Sequence, residues 1–376
     1  MEYPVNGTVI EGKLSRKNED LGSALRKLNI RHTKFELRKI GERSFLVEAD
    51  RRIKEVSIGW KSEYYNEFRN GATIYPKQFW CVEIVKHPKL GFDPNYPYVK
   101  TSERAIKRAK AGYKGVVLGG NVESRFLHAC VSGSELVPFG LTGVYLAVLP
   151  VESTKGELRI IEQGEAIRRG FKGLADWLQK AERIWNSARG KKVERMNVYQ
   201  RLDYQKNLTL QNLRKRFKVL YNTSGTYLVS CVVENKPITM KINSVKVKVN
   251  GVIADWKTYW METNNEDEAY YLSAIMNSPI IDELIKPMQS KGAFGQRDIV
   301  KKPLELPIPK FDPDNPIHKR LAQIGKECHQ KVQKILPALT AKYRSIGKIR
   351  SEIRRHLAKE LQEIDQLTKQ ILGISN

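Results

Sequence analysis

The sequence predicts an α+β protein with a small β-rich N-terminal unit, two mixed α/β blocks and C-terminal helices. Three observations support this fold class. Short runs of alternating apolar and polar residues, typical of strands, recur up to about residue 310. Helically spaced apolar residues interrupt these runs, most clearly over residues 155–200. After Pro313 and Pro316 the spacing becomes wholly helical. We therefore expect units at residues 1–60, 61–200, 201–312 and 313–376.

The N-terminal unit is predicted from short apolar segments punctuated by glycines. A short helix is expected over residues 21–28. Four apolar pairs indicate its strands: Val9 with Ile10, Phe35 with Leu37, Phe45 with Val47, and Val56 with Ile58.

The first mixed block contains both the alternating pattern of strands and the three- and four-residue spacing of helices. Residues 122–132 are predicted to form a helix, and residues 145–151 a buried strand. Apolar residues at steps of three and four predict an amphipathic helix within residues 155–200. The stripe comprises Ile160, Ile161, Ile167, Phe171, Leu174, Trp177, Leu178, Ala181, Ile184 and Trp185.

The second mixed block also combines strand patterns with a helix pattern. Residues 218–233 predict two strands separated by the tight-turn sequence Asn222-Thr-Ser-Gly225. Residues 241–249 alternate almost strictly, which predicts a half-buried strand with one lysine-rich face. Polar and acidic residues at 264–268 predict the start of a helix through residues 269–276.

The C-terminal unit carries two apolar stripes, and Pro337 is expected to kink or break the first of them. The spacing suits an antiparallel helix pair or a coiled-coil seam, within one chain or between two copies. The stripes comprise Leu321, Ile324, Cys328, Val332 and Ile335, then Ile346, Ile349, Ile353, Leu357, Leu361, Ile364, Leu367 and Ile371.

Charge is the strongest compositional signal. The 376 residues include 66 Lys and Arg against 41 Asp and Glu, a formal net charge of +25. This excess favours a polyanionic partner, most often a nucleic acid, and argues against a calcium-binding protein. The basic residues are not gathered on one amphipathic helix with bulky apolar anchors, which disfavours a membrane-surface role.

Location is expected to be cytoplasmic. No apolar run reaches about 18 residues, and the N-terminus lacks the basic start and apolar core of a signal peptide. The four cysteines lie far apart and form no Cys-x-x-Cys pair, so reduced thiols are expected and a zinc site is not. They are Cys81, Cys130, Cys231 and Cys328.

Three short motifs resemble parts of catalytic or phosphate-binding sites. Gly-Gly-Asn at residues 119–121 lacks the full Gly-x-Gly-x-x-Gly spacing, so we interpret it as a turn. Glu11-Gly12-Lys13 resembles the end of a nuclease motif without its upstream acid. Asn-Tyr-Pro-Tyr at residues 95–98 departs from the Asn-Pro-Pro-Tyr motif of amino-methyltransferases at its second position, and we interpret it as a turn. Since no two histidines have metal-ligand spacing, no catalytic or metal-binding residue is predicted.

Two clusters combine basic residues with groups suited to nucleic acid. Lys and Arg can reach phosphates, while Gln and Asn can read adenine edges in the major groove. Glycines in the second cluster let the backbone approach a ligand closely. The first cluster is Arg201, Tyr204, Gln205, Lys206, Arg214, Lys215, Arg216 and Lys218; the second lies within residues 291–302 and includes Lys291, Arg297, Lys301 and Lys302. Arg69, Lys77 and Lys86, which flank aromatic residues, are weaker candidates.

The second half of the chain resembles a known family. Tyr-Tyr-Leu-Ser-Ala-Ile-Met-Asn-Ser at residues 270–278 resembles a helix of restriction-modification target recognition domains. Residues 291–299, residues 304–309 and a helix near His318 follow in the order of such a domain leading into its spacer helix. That order is similar to type I specificity subunits and to type I and type IIG adenine-specific DNA methyltransferases. Four upstream segments resemble the non-catalytic half of large prokaryotic adenine methylases: residues 66–79, 120–126, 199–205 and 220–225.

The resemblance implies a target-recognition-like fold over residues 60–335 and a non-catalytic role. The family's full enzymes carry a Rossmann-like domain that binds S-adenosylmethionine, and its motifs are missing here. S-adenosylmethionine is therefore expected on a partner or on a catalytic domain outside this chain. The family's helices hold domain spacing or bind partner subunits.

Together these observations predict a module that recognises double-stranded DNA for an adenine-specific methyltransferase. The expected partners are duplex DNA, a methyltransferase catalytic domain or subunit, and a second copy through the C-terminal helices. Two alternatives stay open: a divergent metal-dependent nuclease using Glu11 and Lys13, and a sequence-independent nucleic-acid-binding assembly protein. The predicted DNA contacts are Gln205, Lys206, Arg214, Lys215, Arg216, Lys291, Arg297, Lys301 and Lys302.

Overall fold

The computed structural model describes residues 3–12, 14, 18–40, 43–49, 61–87, 91–242, 245–289 and 297–374. Over these ranges the chain is an α+β protein, which confirms the predicted fold class. The strand predicted around Val56 and Ile58 lies outside them. Among the described residues, no helix is both long and apolar enough to cross a membrane.

The strands are mostly short. In chain order they are β1 (Val5–Gly12), β2 (Leu28–Ile40), β3 (Arg43–Glu48), β4 (Arg69–Asn70), β5 (Cys81–Ile84), β6 (Tyr98–Thr101), β7 (Gly119–Asn121), β8 (Leu127–Val131), β9 (Leu136–Val137), β10 (Gly140–Leu141), β11 (Tyr145–Val148), β12 (Val151–Thr154), β13 (Glu157–Ile160), β14 (Phe217–Asn222), β15 (Ser224–Gly225), β16 (Ser230–Glu234), β17 (Ile238–Ile242), β18 (Val245–Ala254), β19 (Thr258–Thr263) and β20 (Arg297–Asp298).

Among the described residues, the longest helix lies in the C-terminal part and the second longest in the middle of the chain. In chain order the α-helices are α1 (Leu21–Lys27), α2 (Lys77–Trp80), α3 (Glu103–Lys107), α4 (Gln163–Arg168), α5 (Lys172–Ala188), α6 (Val198–Leu202), α7 (Glu266–Asn277), α8 (Pro279–Ile285), α9 (Pro316–Lys342), α10 (Ile346–His356) and α11 (Ala358–Ile371).

The N-terminal unit is an antiparallel three-stranded sheet in the order β1-β2-β3. Helix α1 precedes β2, and the Asp20 carboxylate caps it by accepting a 2.9 Å hydrogen bond from the Ser23 amide. A capping acid at this position stabilises a helix start by satisfying an otherwise unpaired amide. The strands around Val9, Phe35 and Phe45 and the short helix are confirmed.

A seven-stranded mixed sheet forms the first core, in the order β17-β18-β8-β11-β5-β6-β7. Strand β8 is buried along its whole length between β18 and β11, running parallel to β18. The helix predicted over residues 122–132 is therefore wrong. A short, continuously apolar run does not distinguish a helix from a strand that is covered on both faces, and here the covered strand is formed.

The lysine-rich segment at the edge of this sheet alternates as predicted. Lys246 and Lys248 are exposed, whereas Val247 and Val249 are buried. The predicted single strand is divided, because residues up to Ile242 belong to β17 and pair with β18 as a hairpin. The hairpin places the lysines on its outer face.

Helix α5 covers the first core with the predicted apolar stripe. Leu174, Trp177, Leu178 and Trp185 are buried, and the Trp177 indole nitrogen donates a 2.8 Å hydrogen bond to the Phe79 carbonyl. The helix begins later than the periodicity suggested, since Glu157–Ile160 forms β13.

A second, antiparallel sheet has the order β16-β14-β19-β4 and lies between two cores. Leu220 of β14 packs into the first core, while Val219 and Tyr221 pack into the second. The two strands predicted within residues 218–233 are confirmed as β14 and β16. Strand β4 comes from the first predicted block, as β18 in the larger sheet comes from the second, so the two blocks share both sheets.

Helix α7 covers the second sheet, and α9 packs along α7. Asn265 caps α7 as predicted, with its side chain accepting hydrogen bonds from the amides of Asp267 and Glu268. The tight approach of α9 requires Gly325, because a Cβ there would lie 2.5 Å from the Tyr270 carbonyl oxygen.

The apolar stripes of the C-terminal helices pack within the chain. Helix α9 continues through Pro337 to Lys342, so the break expected at Pro337 does not occur. Helices α10 and α11 then fold back, and Asp365 of α11 accepts a 2.6 Å hydrogen bond from the Ile280 amide at the start of α8. The apolar residues of α9, α10 and α11 form part of the second core with those of α7 and α8.

Candidate nucleic-acid interface

Two neighbouring surface hollows lie where the segment around Asn70 meets the loop around Gln205. They share Asn70, Gln205 and Asn207, so they form one continuous surface. The first hollow has a volume of about 320 Å³ and is lined by Asn70, Gly71, Thr73, Tyr75, Lys110, Arg201, Tyr204, Gln205, Asn207 and Trp256. The second is lined by Asn66, Phe68, Arg69, Asn70, Gln205, Asn207, Tyr259 and Lys301.

The charged residues that line the two hollows are all basic. Four side chains are cationic: Lys110 and Arg201 in the first hollow, and Arg69 and Lys301 in the second. None of the residues that line either hollow is Asp or Glu. Amide side chains fill the junction between the cations. Cations with amides are the groups that contact phosphates and base edges.

The position of Asn70 in this surface depends on a close backbone contact. Strand β4 pairs with β19, and the Trp260 indole nitrogen donates a 3.1 Å hydrogen bond to the Asn70 carbonyl. The next residue must be glycine, since a Cβ on Gly71 would lie 2.2 Å from the Asp255 carbonyl oxygen. This approach sets Asn70 beside the turn that follows β18.

The loop that carries Gln205 is held by one carboxylate. Both Leu208 and Thr209 donate their backbone amides to Asp203 Oδ1 at 3.0 Å. Gln205 (φ 57°, ψ 25°) and Lys206 (φ 57°) adopt the left-handed conformation, which is uncommon for residues other than glycine. Such strain, about 1–3 kcal/mol per residue, persists only where surrounding contacts impose it, and it often marks a functional position. The exposed Gln205 side chain is thus presented by a rigid loop.

Cations in the first hollow are held over aromatic rings. The Arg201 guanidinium lies 5.6 Å from the Tyr75 ring and 5.7 Å from the Tyr204 ring. Lys110 lies 5.2 Å from the same Tyr75 ring. Burial raises the pKa of Tyr75, and the charge of Arg201 opposes that change. These contacts orient both cations without neutralising them.

Lys301 lies at the opposite end of the surface. Its ammonium donates a 2.8 Å hydrogen bond to the Tyr65 carbonyl and sits 4.3 Å from the Tyr65 ring. Burial lowers the pKa of Lys301, and the charge of Arg69 lowers it further. Two cations held this closely disfavour each other's charge, and an anion between them would relieve that repulsion.

The turn after β18 is built around Asp255, which is fully buried. Its carboxylate accepts hydrogen bonds from the Tyr145 hydroxyl at 3.0 Å and the Lys77 ammonium at 3.3 Å. It also accepts the Lys257 amide at 2.7 Å. Burial lowers the pKa of Lys257, as does the charge of Lys77. The turn is therefore rigid, basic, and positioned to present Trp256 to the first hollow.

The structure brings together members of both predicted clusters. Gln205 and Lys301, 96 positions apart, line the same hollow, and Arg201 and Tyr204 line its neighbour. Lys206 is exposed in the same turn as Gln205 without lining either hollow. Arg69, a weaker candidate, belongs to the surface.

Other predicted contacts lie elsewhere. Arg214, Lys215 and Arg216 are exposed just before β14 and line neither hollow. The Arg216 guanidinium lies 3.7 Å from the Glu234 carboxylate and over the Phe217 ring. This loop is an exposed basic segment separate from the hollows.

Two lysines of the predicted clusters are buried and paired with acidic residues. Lys302 is 4% exposed and pairs with Asp298 at 3.2 Å, so its ammonium stabilises the β20 loop instead of facing DNA. Lys218 is fully buried and pairs with Glu262 at 3.1 Å. The side chain of Arg297 and all of Lys291 lie outside the described residues.

Sequence reasoning missed ten of the fifteen residues that line the two hollows, including Asn66, Asn70, Lys110, Asn207 and Trp256. Asn207 lies inside the first basic cluster, directly after Lys206, but the other four stand apart from both clusters along the chain, so local composition carries no signal for them. Polar residues beside the short strand β4 were the available hint for Asn66 and Asn70.

The remaining motifs do not assemble a reactive site in the described part of the chain. Glu11 is exposed on β1, and Lys13 lies outside that part. Residues 119–121 form β7 of the large sheet instead of a turn. Residues 94–96 form a bend in which the Asp93 carboxylate accepts the Asn95 amide at 2.8 Å, and β6 begins at Tyr98. Among described residues, no group of three or more His, Cys, Asp or Glu could hold a metal ion.

The solved structures that are similar to this chain include two restriction-modification enzymes. The type IIL enzyme MmeI, solved in complex with DNA, matches with a TM-score of 0.46 and 10% identity over 91% of this chain and 39% of that chain. The type IIG restriction endonuclease BpuSI matches with a TM-score of 0.31 and 11% identity over 82% of this chain and 31% of that chain. This chain thus spans well under half the length of either. No model of a protein family matches it, and no curated protein is similar in sequence.

Proposed function

We propose that this chain recognises a specific sequence in double-stranded DNA for an adenine-specific methyltransferase of a restriction-modification system. The observation that carries the proposal is the joined pair of hollows, whose lining combines four cations and four amides with no acid. This is the composition of a surface that holds phosphates and reads bases.

Phosphate contacts supply affinity in this proposal. Arg69, Lys110, Arg201 and Lys301 hold the duplex, aided by the net charge of +25. Their contribution falls steeply with salt, because binding releases the counterions condensed on DNA.

Amide contacts supply specificity. A Gln or Asn amide can donate to N7 and accept from the N6 amino group of adenine, a pairing that other bases do not satisfy. Gln205 is the leading candidate, because its backbone is fixed by Asp203 while its side chain remains exposed. Asn70 and Asn207 line both hollows together with Gln205, and Asn66 lines the second.

The link to adenine methylation rests on the sequence resemblance of residues 270–278 and 304–309. In this proposal the chain presents an adenine to a methyltransferase domain, which flips it and supplies S-adenosylmethionine. Helices α9, α10 and α11 provide the spacer or a surface for that partner. Their apolar stripes are already covered within the chain, so a partner or a second copy would contact their outer faces.

The test is a binding selection with the purified chain and a randomised duplex at moderate salt. We expect enrichment of a short motif containing adenine, and loss of that enrichment in a Gln205→Ala variant. Tight binding without any enriched motif would overturn specific recognition in favour of a sequence-independent assembly protein. Metal-dependent cleavage of the duplex by the chain alone would instead favour a nuclease.

A further inference from the structure

Trp256 is an exposed aromatic residue on a rigid support. Its side chain is 45% exposed, whereas four other tryptophans are almost fully buried: Trp80, Trp177, Trp185 and Trp260. The turn that carries it is fixed on both sides, since its own amide donates a 2.9 Å hydrogen bond to the Ala72 carbonyl and Asp255 accepts the next amide. The Lys257 ammonium lies 5.5 Å from the centroid of the indole ring, and Trp256 lines the first hollow.

The surroundings indicate which ligand. Tyr75 and Tyr204 line the same hollow as Trp256, together with the cations Lys110 and Arg201. Flat rings beside cations form a platform on which nucleic-acid bases stack while their phosphates are held. The volume of about 320 Å³ is at the small end of the range for ligand sites, which suits one planar group.

The floor offers a polar contact for such a group. The Oδ1 atom of Asn70 is buried and has no hydrogen-bond partner among the described residues. Buried polar atoms are normally paired, and Asn70 lines both hollows, so a small rotation of its side chain would bring this unpaired acceptor to a donor held in the first hollow. The exocyclic amino groups of adenine, cytosine and guanine are donors of this kind.

We propose that the first hollow takes a single unpaired nucleobase, which stacks on Trp256 and directs its amino edge towards Asn70. This inference rests on the proposed DNA-binding function and specifies how one base is bound. The chain would then favour a duplex that has one base already out of the stack, because such a base enters without breaking a pair.

The experiment compares two labelled duplexes that differ by one unpaired base. Binding of the full chain is followed by fluorescence anisotropy, and indole quenching is read in the same titration. Wild type is expected to bind the duplex with the unpaired base more tightly, by about 5- to 140-fold, the range that corresponds to about 1–3 kcal/mol for base–aromatic stacking. Trp256→Ala should abolish this preference, which is read as the ratio of the affinities for the two duplexes measured on the same protein.

Two further variants separate stacking from a general structural effect. Trp256→Phe keeps an aromatic face, so it should retain most of the preference while removing the quenching signal. Tyr227→Ala is the matched control, because Tyr227 is 36% exposed with Lys286 and Arg354 near its ring but lies outside the hollow. It should behave as wild type.

Three results would overturn the inference. One is equal preference in Trp256→Ala and wild type, which would leave the proposed function standing. The second is wild-type binding without preference for the unpaired base, with the same consequence. Failure of wild type to bind either duplex would overturn both the inference and the proposed function.

Discussion

The double substitution Lys110→Gln/Arg201→Gln tests whether the first hollow holds phosphate. Both cations line it, and neither has an acidic residue in the lining to leave unpaired. Glutamine retains length and polarity while removing charge. The measured quantity is the slope of the logarithm of the binding constant against the logarithm of salt concentration, which counts phosphate contacts.

The expected magnitude follows from the four lining cations. With one phosphate each, they contribute a slope of about 3.6, since each contact on B-DNA adds about 0.9. The double variant should retain about 1.8 of it. A fourfold rise in salt would then weaken these contacts about 150-fold in wild type and about 12-fold in the variant.

Fluorescence anisotropy of a labelled duplex over a range of salt concentrations measures both slopes. The matched control is Lys319→Gln/Lys334→Gln, which removes the same charge from exposed positions of α9 that line neither hollow. Its slope should stay close to that of wild type. Equal slopes in the double variant and the control would refute the assignment, because only total charge would then matter.

Four other outcomes can be measured. Gln205→Ala should leave the salt slope unchanged but reduce discrimination at one base pair by about 1–3 kcal/mol, as read from competition between matched and mismatched duplexes. Charge reversal at Arg214 and Lys215 should weaken binding to all duplexes alike if the basic segment before β14 also contacts phosphates; unchanged affinity would limit the interface to the hollows. Gly71→Ala should lower the free energy of unfolding by about 1–3 kcal/mol, because its Cβ would meet the Asp255 carbonyl at 2.2 Å, whereas Gly143→Ala, with open space around it, should not. Burial, and then the charge of Lys218, lower the pKa of His128 to about 4, so the unfolded chain binds the proton first and stability falls as pH drops below about 6.5. Between pH 7 and pH 5 this group should lower the free energy of unfolding by about 2 kcal/mol, and His128→Leu should flatten that part of a denaturation profile.

Local features of the fold could be predicted where the signal lies within a few residues. The cap at Asn265, the alternation of Lys246, Val247, Lys248 and Val249, and the inward stripe of α5 all appear as predicted. The alternation and the stripe show which side of a strand or helix is buried, because the buried residues recur at a regular spacing in the sequence. The cap is set by residues at the helix start itself. Strand β8 was mistaken for a helix because burial on both faces removes the period.

Sequence alone determined the α+β class, the longer helices, several of the strands and the strong positive charge, since these depend on neighbouring residues and on composition. The tertiary structure decided which charges reach the surface, burying Lys218 and Lys302 with acidic partners while leaving Arg69 and Lys110 exposed. It also decided the interface itself, which draws Asn70, Lys110, Gln205, Trp256 and Lys301 from separate parts of the chain. A residue's local pattern records its own burial but not the identity of distant neighbours, and those are set only when the two sheets share strands and pack.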